Sequence, residues 1–312
     1  MATVTDAGRF PVERTTLTSG QEVAFVRAGQ GGYPLLLVHG WPETKRIWWR
    51  NVEPLAAAGF EVIVPDLRGF GDSGLAPDGF YDPAAHAKDL HALVSDHLGH
   101  ERCAASGGDL GGVAIQDLGL RFEGFVERQV LFNTIAPILP AEYEAAGIPP
   151  SIPREVRQAA DYFRRQAGDA DALAAELDTV EKRGRYIEQF YGSRFWATPG
   201  AFDQDAVDFM TEPFADAEKL RAGFGNYEST KRETPRSDVP RFFETNPVPT
   251  LVLYGPDDHV IPRDFPERCE VAFTELVGPL IVPRAGHFLQ WERADLLNQC
   301  LIYFLADLRE AA

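Results

Sequence analysis

Short apolar runs alternate with helix-like stretches along this chain, and the alternation limits the folds open to it. Runs such as "EVAFVRAG", "PLLLVHG", "EVIVPDLRG", "ERCAAS", "ERQVLFN", "PTLVLYG" and "GPLIVP" predict strands. Residues 82–99 repeat apolar side chains at helical spacing, and we expect Lys88, Asp89 and Asp96 there to face solvent. Strands that alternate with amphipathic helices predict an α/β fold with a mostly parallel central sheet flanked by helices.

The alternation stops in the middle of the chain. Residues 134–245 show helical periodicity without a strand pattern, and they are rich in alanine, acids, arginine and aromatic residues. We therefore predict a helical cap at 134–245, inserted between two sheet strands and lying over the sheet edge where such folds bind ligands. The core domain then has a first part, residues 1–133, and a second part, residues 246–312.

Charge and composition narrow the choice of partners. The 312 residues carry a formal charge of −17, which disfavours binding to nucleic acid or to an anionic membrane surface and favours a small neutral substrate. The three cysteines, Cys103, Cys269 and Cys300, have no metal-type spacing and predict buried free thiols. With no secretory leader pattern and no spanning apolar stretch, the sequence predicts a cytoplasmic protein and leaves a homodimer open.

The stretch "SGGDLGG" places an acid among glycines directly after a predicted strand. A sharp strand-to-helix turn needs small residues two before and two after its apex, and Gly107 and Gly111 stand in that relation to Asp109. A frame centred on Ser106 competes with it. That frame shortens the strand and leaves Gly111 and Gly112 without a role, so we favour Asp109 as the nucleophile.

A carboxylate at this position implies a particular chemistry. Attack on an acyl carbon would leave a reactive anhydride, whereas displacement at a saturated carbon leaves an ester that water can hydrolyse. The predicted substrate therefore has an sp3 carbon with an oxygen or halide leaving group.

The remaining catalytic groups follow in the order nucleophile, acid, histidine. His287 lies in a predicted loop before the last helix and is the candidate base for water. Asp258, three residues after a glycine that ends a strand, is favoured over the adjacent Asp257 as the residue that orients the histidine. The backbone N–H groups of Trp41, after "PLLLVHG", and Leu110 are the predicted oxyanion hole.

Together these motifs resemble the α/β-hydrolase superfamily and, within it, the epoxide hydrolase branch. "HGWPET", "VPDLRGFGDSG", the Asp-centred turn, "LYGPDDHVIP" and "AGHFLQWERADLLN" occur in the family's order, with the insertion in its place. The resemblance implies the α/β-hydrolase fold and a covalent ester between the nucleophile and an opened epoxide. It also implies ring activation by cap tyrosines, with water and a small neutral apolar epoxide as reactants and with no metal or organic cofactor.

Three positions depart from or extend the family pattern. The residue before the nucleophile is commonly His in this branch and is Gly108 here. "AGFGNYES" resembles the second cap motif and offers Tyr227 as an acid. In the region resembling the first motif, Ala159 stands where family members carry Tyr or His. Either Tyr162 or another cap residue takes its place as the second acid, or one contact to the ring oxygen is missing.

Other functions remain open on the same residues. A haloalkane or haloacetate dehalogenase would use the same ester chemistry, but Leu110, Trp41 and Asn133 stand where such enzymes place their characteristic Trp, Asn and acid. A non-catalytic small-molecule-binding protein on this scaffold is an alternative of another class. An esterase that uses Ser106 is a third.

Overall fold

The computed structural model of the chain describes residues 4–150 and 160–310, and an eight-stranded sheet forms its centre. The strand order is β1-β2-β4-β3-β5-β6-β7-β8. The strands are β1 Val12–Thr16, β2 Glu22–Ala28, β3 Tyr33–Val38, β4 Phe60–Pro65, β5 Cys103–Gly108, β6 Val126–Phe132, β7 Thr250–Tyr254 and β8 Leu276–Ile281. All pairs from β4 to β8 are parallel, whereas β1 and β2 add an antiparallel edge.

The central strands are apolar on both sides because helices cover both faces of the sheet. β3, β4, β5 and β7 are almost entirely buried, and Leu37 pairs with Ser106 in the register of β3 and β5. These strands end at one sheet edge, so the loops that follow them meet there. The prediction of a mostly parallel sheet with flanking helices is confirmed.

Helices follow most of the strands. Those outside the β6–β7 connection are α1 Val52–Ala57, α2 Pro83–His91, α3 Asp109–Arg121, α10 Phe265–Ala272, α11 Leu289–Glu292, α12 Ala294–Phe304 and α13 Ala306–Glu310. α2 continues as a π-helical stretch, Ala92–His97, and a 3-10 turn, Lys45–Trp48, follows the loop after β3. No helix in the described ranges has both the length and the apolar character that crossing a bilayer requires.

The connection between β6 and β7 holds six α-helices and a 3-10 helix, Glu212–Ala215, in its described part. The α-helices are α4 Pro140–Ala145, α5 Ala160–Gly168, α6 Ala170–Glu176, α7 Val180–Gly192, α8 Gln204–Thr211 and α9 Ala217–Glu228. This helical segment packs on the loop after β3, where Trp41 contacts Phe214, Phe224 and Tyr227 edge-on. The domain boundaries at 134 and 245 stay a prediction.

Two local expectations are wrong. Asp89 does not face solvent, because its carboxylate accepts two hydrogen bonds, at 2.7 and 2.8 Å, from the buried guanidinium of Arg68. The cysteines are free thiols, as expected, but only Cys103 and Cys269 are buried, while Cys300 on α12 is partly exposed.

Candidate active site

The turn from β5 into α3 places Asp109 at its apex, with a positive φ of 46°. A Cβ on Gly107 would lie 2.8 Å from the backbone carbon of Gly111, and a Cβ on Gly111 would lie 2.3 Å from the carbonyl oxygen of Val38. Both distances are too short for any side chain. The glycine spacing that singled out Asp109 therefore reflects two close approaches of the backbone. The tight turn holds Asp109 itself in a strained backbone conformation.

The glycine before Asp109 also has a steric explanation. A Cβ on Gly108 would lie 2.5 Å from a ring carbon of Phe132, at the end of β6. Phe132 thus fills the space that a side chain at position 108 would enter.

The two carboxylate oxygens of Asp109 have different surroundings. Oδ1 accepts a hydrogen bond of 2.7 Å from the backbone N–H of Trp41. Oδ2 lies 3.4 Å from Nε2 of His287, and the side chain keeps 12% of its surface exposed. Leu110 N–H belongs to the first turn of α3, where a helix presents N–H groups without intrahelical partners. One carboxylate oxygen is therefore held by the backbone, while the other faces the imidazole.

Ser106, the alternative apex, lies elsewhere. It is fully buried inside β5, between Leu37 of β3 and Val130 of β6 in the sheet register. It lies three residues before the turn, so the structure brings Asp109 rather than Ser106 to His287.

His287 and Asp258 meet as the chain order suggested. Nδ1 of His287 lies 2.8 Å from Oδ2 of Asp258, with both side chains fully buried. Because the carboxylate accepts, Nδ1 carries the proton and Nε2 faces Asp109. Burial lowers the pKa of His287, but Asp258 and Asp109 outweigh it and raise that pKa well above its ordinary value. Asp257 instead accepts a bond of 3.3 Å from the hydroxyl of Thr198.

Sequence reasoning missed the part that Asn133 plays in holding Asp258. The Asn133 side-chain amide donates to Oδ2 of Asp258 at 2.8 Å and to the carbonyl of Gly286 at 3.1 Å. Its oxygen accepts from the N–H of Gly255 at 2.8 Å. Asn133, directly after β6, thereby joins the loops that follow β6, β7 and β8. The signal in the sequence was a polar amide immediately after a buried strand.

Glu43 is a second functional candidate that sequence reasoning missed. It is 2% exposed, and it accepts from the N–H of Gly40 at 2.5 Å and from the side chain of Gln290 at 2.8 Å. Burial, together with the charge of Asp109, raises its pKa to about 7. An acid three residues after Gly40, inside an otherwise apolar loop, was the available signal.

The two predicted cap tyrosines lie beside each other. Tyr227 on α9 is 3% exposed, and its ring centroid lies 6.0 Å from that of Trp41 and 5.7 Å from that of Tyr162. Burial, then Tyr162 and Asp109, raise the pKa of Tyr227 well above its ordinary value, so its hydroxyl stays protonated. Tyr162 on α5 is half-buried and packs against Trp196. Ala159 lies outside the described residues.

A cavity of about 240 Å³ lies between Asp109 and the two tyrosines. Asp109, Leu110, Tyr162 and Tyr227 line it, together with mostly apolar side chains. A small, largely apolar cavity with one carboxylate and phenolic donors suits a small organic molecule. In the described part of the chain, no three His, Cys, Asp or Glu side chains come together as metal ligands.

Comparison with known proteins agrees with this architecture. Residues 33–294 match the family model described as alpha/beta hydrolase fold. The chain is 28% identical over 296 residues to the soluble epoxide hydrolase of Corynebacterium sp. (strain C12), covering 94% of this chain and 96% of that protein. It is also 28% identical to a 2-hydroxy-6-oxononadienedioate/2-hydroxy-6-oxononatrienedioate hydrolase of Paraburkholderia xenovorans (strain LB400), with 98% of each chain covered.

A solved structure shares the fold. Epoxide hydrolase CorEH without ligand superposes with a TM-score of 0.82 at 24% identity, over 96% of this chain and 100% of that chain. The relatives differ in the reactions that their names give, and they also include a putative non-heme chloroperoxidase of Synechocystis sp. (strain ATCC 27184 / PCC 6803 / Kazusa), 26% identical over 88% of this chain and 91% of that protein. The chain therefore belongs to the alpha/beta hydrolase fold family and is a hydrolase.

Proposed function

We propose that this hydrolase opens epoxides to vicinal diols through a covalent ester on Asp109. The observation that carries the proposal is that the two oxygens of that carboxylate have different partners. The Trp41 N–H holds Oδ1 at 2.7 Å, while Oδ2 lies 3.4 Å from the imidazole of His287. Similarity to an epoxide hydrolase over nearly the whole chain supports the choice of substrate.

In the first step, Oδ2 of Asp109 attacks a ring carbon and the bond from that carbon to the epoxide oxygen breaks. The departing oxygen accepts the proton of the Tyr227 hydroxyl, or of Tyr162 in its place, and becomes the hydroxyl of the ester. Water then relays to the tyrosinate the proton that the imidazolium of His287 loses once Asp109 is esterified. The high pKa of Tyr227 keeps this donor protonated at neutral pH.

In the second step, Nε2 of His287 removes a proton from water, and the resulting hydroxide adds to Cγ of Asp109. The charge that develops on Oδ1 is stabilised by the N–H groups of Trp41 and Leu110. The bond from Cγ to the ester oxygen then breaks, and the diol oxygen takes the proton from His287. Asp109 is left as the carboxylic acid and returns its proton to Nε2 of His287, which restores the carboxylate and the imidazolium of the free enzyme. Asp258 keeps the imidazole in the tautomer that this step needs.

The ester itself prepares His287 for this role. In the free enzyme, the charge of Asp109 is one of the interactions that raise the pKa of His287. Esterification removes that charge, so the pKa of His287 falls and the imidazolium can lose its proton. The base therefore becomes available only after the nucleophile has reacted.

The proposal also covers the role of the cap, the absence of a cofactor and the kind of substrate. Residues 134–245 form the cap that supplies Tyr227 and Tyr162, and the chain's own side chains carry the chemistry without a cofactor. The substrate is a small, neutral, apolar epoxide, in keeping with the apolar cavity and the charge of −17. A cytoplasmic location stays a prediction.

The test is to block the second step and look for the ester. His287→Gln is expected to react with styrene oxide and to gain the mass of one substrate on the peptide that contains Asp109, because ring opening needs no base. His97→Gln, which alters an exposed histidine, is the matched control and is expected to turn over without accumulating adduct.

Three results would contradict the proposal. If His287→Gln acquires no adduct from any epoxide tested, the chain does not use this chemistry. An adduct and halide release with haloacetates or haloalkanes, but not with epoxides, would identify a dehalogenase. Ester hydrolysis that survives Asp109→Asn but not Ser106→Ala would identify a serine esterase.

A further inference from the structure

A carboxylate outside the catalytic group contacts the backbone on both sides of His287. Glu292, on α11, accepts hydrogen bonds from the N–H of Gly286 at 2.8 Å and from the N–H of Phe288 at 3.0 Å. These two amides flank the base directly. Taken alone, the two contacts describe the local start of a short helix.

A third contact of Glu292 reaches a distant part of the chain. Oε2 also accepts from the N–H of Thr198 at 2.9 Å, 94 residues away in the connection between α7 and α8. One carboxylate oxygen therefore binds the loop of the base and the helical segment above it at the same time. No local helix start requires this bond.

The segment that contains Thr198 contacts the base directly. In residues 195–198, the carbonyl of Trp196 accepts the N–H of His287 at 2.6 Å, and the Trp196 ring meets the imidazole edge-on with centroids 4.8 Å apart. The carbonyl of Phe195 accepts the N–H of His259 at 3.0 Å. Segment 195–198 thus forms one wall around His287, and Glu292 ties that wall to the loop of the base.

We propose that Glu292 is a positioning residue that fixes the orientation of His287 against segment 195–198 for the hydrolytic step. The inference rests on the proposed function, since it assigns Glu292 to one half of that reaction. Ring opening uses the carboxylate of Asp109 and a cap tyrosine, and neither contacts Glu292. Water activation needs Nε2 of His287 aimed at water, and a displacement of the order of 1 Å can cost about 100-fold in rate.

Glu292→Gln separates the two steps. Glutamine keeps the size of the side chain but has one acceptor oxygen, so at least one of the three amides loses its partner. We expect hydrolysis of the ester to slow by about 10- to 100-fold, with ring opening within about threefold of wild type. kcat then falls while kcat/KM is unchanged, and the ester accumulates in rapid-quench mass spectra with styrene oxide. Asp295→Asn, an exposed acid three residues away, is the matched control and is expected to match wild type.

Each other outcome overturns the inference. If kcat and kcat/KM fall together, Glu292 supports the whole site and not the base alone; if neither changes, the contacts have no role in the reaction. Glu292→Asp, which keeps the charge with a shorter reach, replaces Gln if circular dichroism shows that the latter does not fold, and must show the same split. No ester in wild type overturns the proposed function together with this inference, whereas an ester in wild type without the split overturns this inference alone.

Discussion

At the scale of single residues, the proposed reaction depends on keeping the two oxygens of one carboxylate distinct. A freely rotating Asp109 would present either oxygen to the substrate. In the proposed reaction, the bond from the Trp41 N–H to Oδ1 fixes which one becomes the carbonyl oxygen of the ester. That oxygen is then already in the oxyanion hole when water attacks, so no reorganisation is needed between the two steps.

Tyr227 is expected to contribute more to ring opening than Tyr162. Tyr227→Phe keeps the ring that packs on Trp41 but removes the proton donor, and it should lower kcat/KM for an epoxide by about 10²- to 10⁴-fold. Tyr162→Phe should cost about tenfold or less, since Tyr162 is half-buried whereas Tyr227 is only 3% exposed. A larger loss for Tyr162→Phe would reverse the assignment.

Glu43 makes stability depend on pH. Its pKa is raised from 4.5 to about 7. Between pH 4.5 and pH 7, the folded state therefore keeps a proton that the unfolded chain has already lost. This contribution to stability is complete below pH 4.5 and is lost as pH rises through 7. The loss amounts to about 3 kcal/mol.

Glu43→Gln cannot lose that proton. Relative to wild type, its free energy of unfolding should therefore rise by about 3 kcal/mol between pH 4.5 and pH 8, as measured by urea denaturation. Gln290 can rotate its amide to accept from the new side chain, since its oxygen has no partner among the described residues. The exposed Glu142→Gln should show no such change. Parallel pH profiles for Glu43→Gln and wild type would refute the shift.

Some of these residues could be identified from the sequence, and others could not. Asp109, His287 and Asp258 stood out because each follows a strand with a recognisable turn, which is local information. Glu43 and Asn133 act through partners far along the chain, at Gln290 and at Asp258. Nothing local to "HGWPET" or "VLFNTIAP" specifies those partners, so their contribution emerged only from the structure.

At the scale of elements, the turn from β5 to α3 is fixed by backbone contacts that tolerate no side chain. The packing of α3 against β3 brings Gly111 so close to Val38 that a Cβ would lie 2.3 Å from its carbonyl oxygen. The position of Asp109 therefore depends on an element that takes no part in the proposed reaction.

Gly111→Ala should destabilise the fold strongly for that reason. We expect the free energy of unfolding to fall by about 3 kcal/mol or more, because either the turn or β3 must move. Gly184→Ala, in α7, is the matched control, since among the described residues its Cβ would meet only the methyl carbon of Thr211 at 3.7 Å. We expect its free energy of unfolding to rise by up to about 1 kcal/mol. Equal stabilities of the two variants would show that the close approach is not real.

Apolar periodicity predicted most of the strands, but it did not predict the exposure of every side chain. The seven strands from β2 to β8 and the helix at α2 follow from apolar patterns. β1, "VERTT", has partly exposed, polar residues and gave no such signal. Asp89 looked solvent-facing because helical spacing ignores the guanidinium of Arg68, which reaches it from the loop after β4.

At the scale of the whole molecule, the core and the helical segment contribute different groups to the proposed reaction. The core supplies Asp109, His287 and Asp258 from loops at one sheet edge, whereas α5 and α9 supply the tyrosines. The change of periodicity predicted the helical insertion, and the resemblance to epoxide hydrolases implied the role of its tyrosines. The sequence did not predict how segment 195–198 joins both parts at His287, because that depends on the fold of the insertion.

The most direct test of the account is a single turnover in 18O-water, with enzyme in excess over styrene oxide. Attack by Asp109 predicts that the first diol contains only unlabelled oxygen and that one 18O remains on Asp109, read by mass spectrometry of its peptide. Label in the first diol, with Asp109 unlabelled, would mean that water attacks the epoxide directly and would contradict the covalent ester.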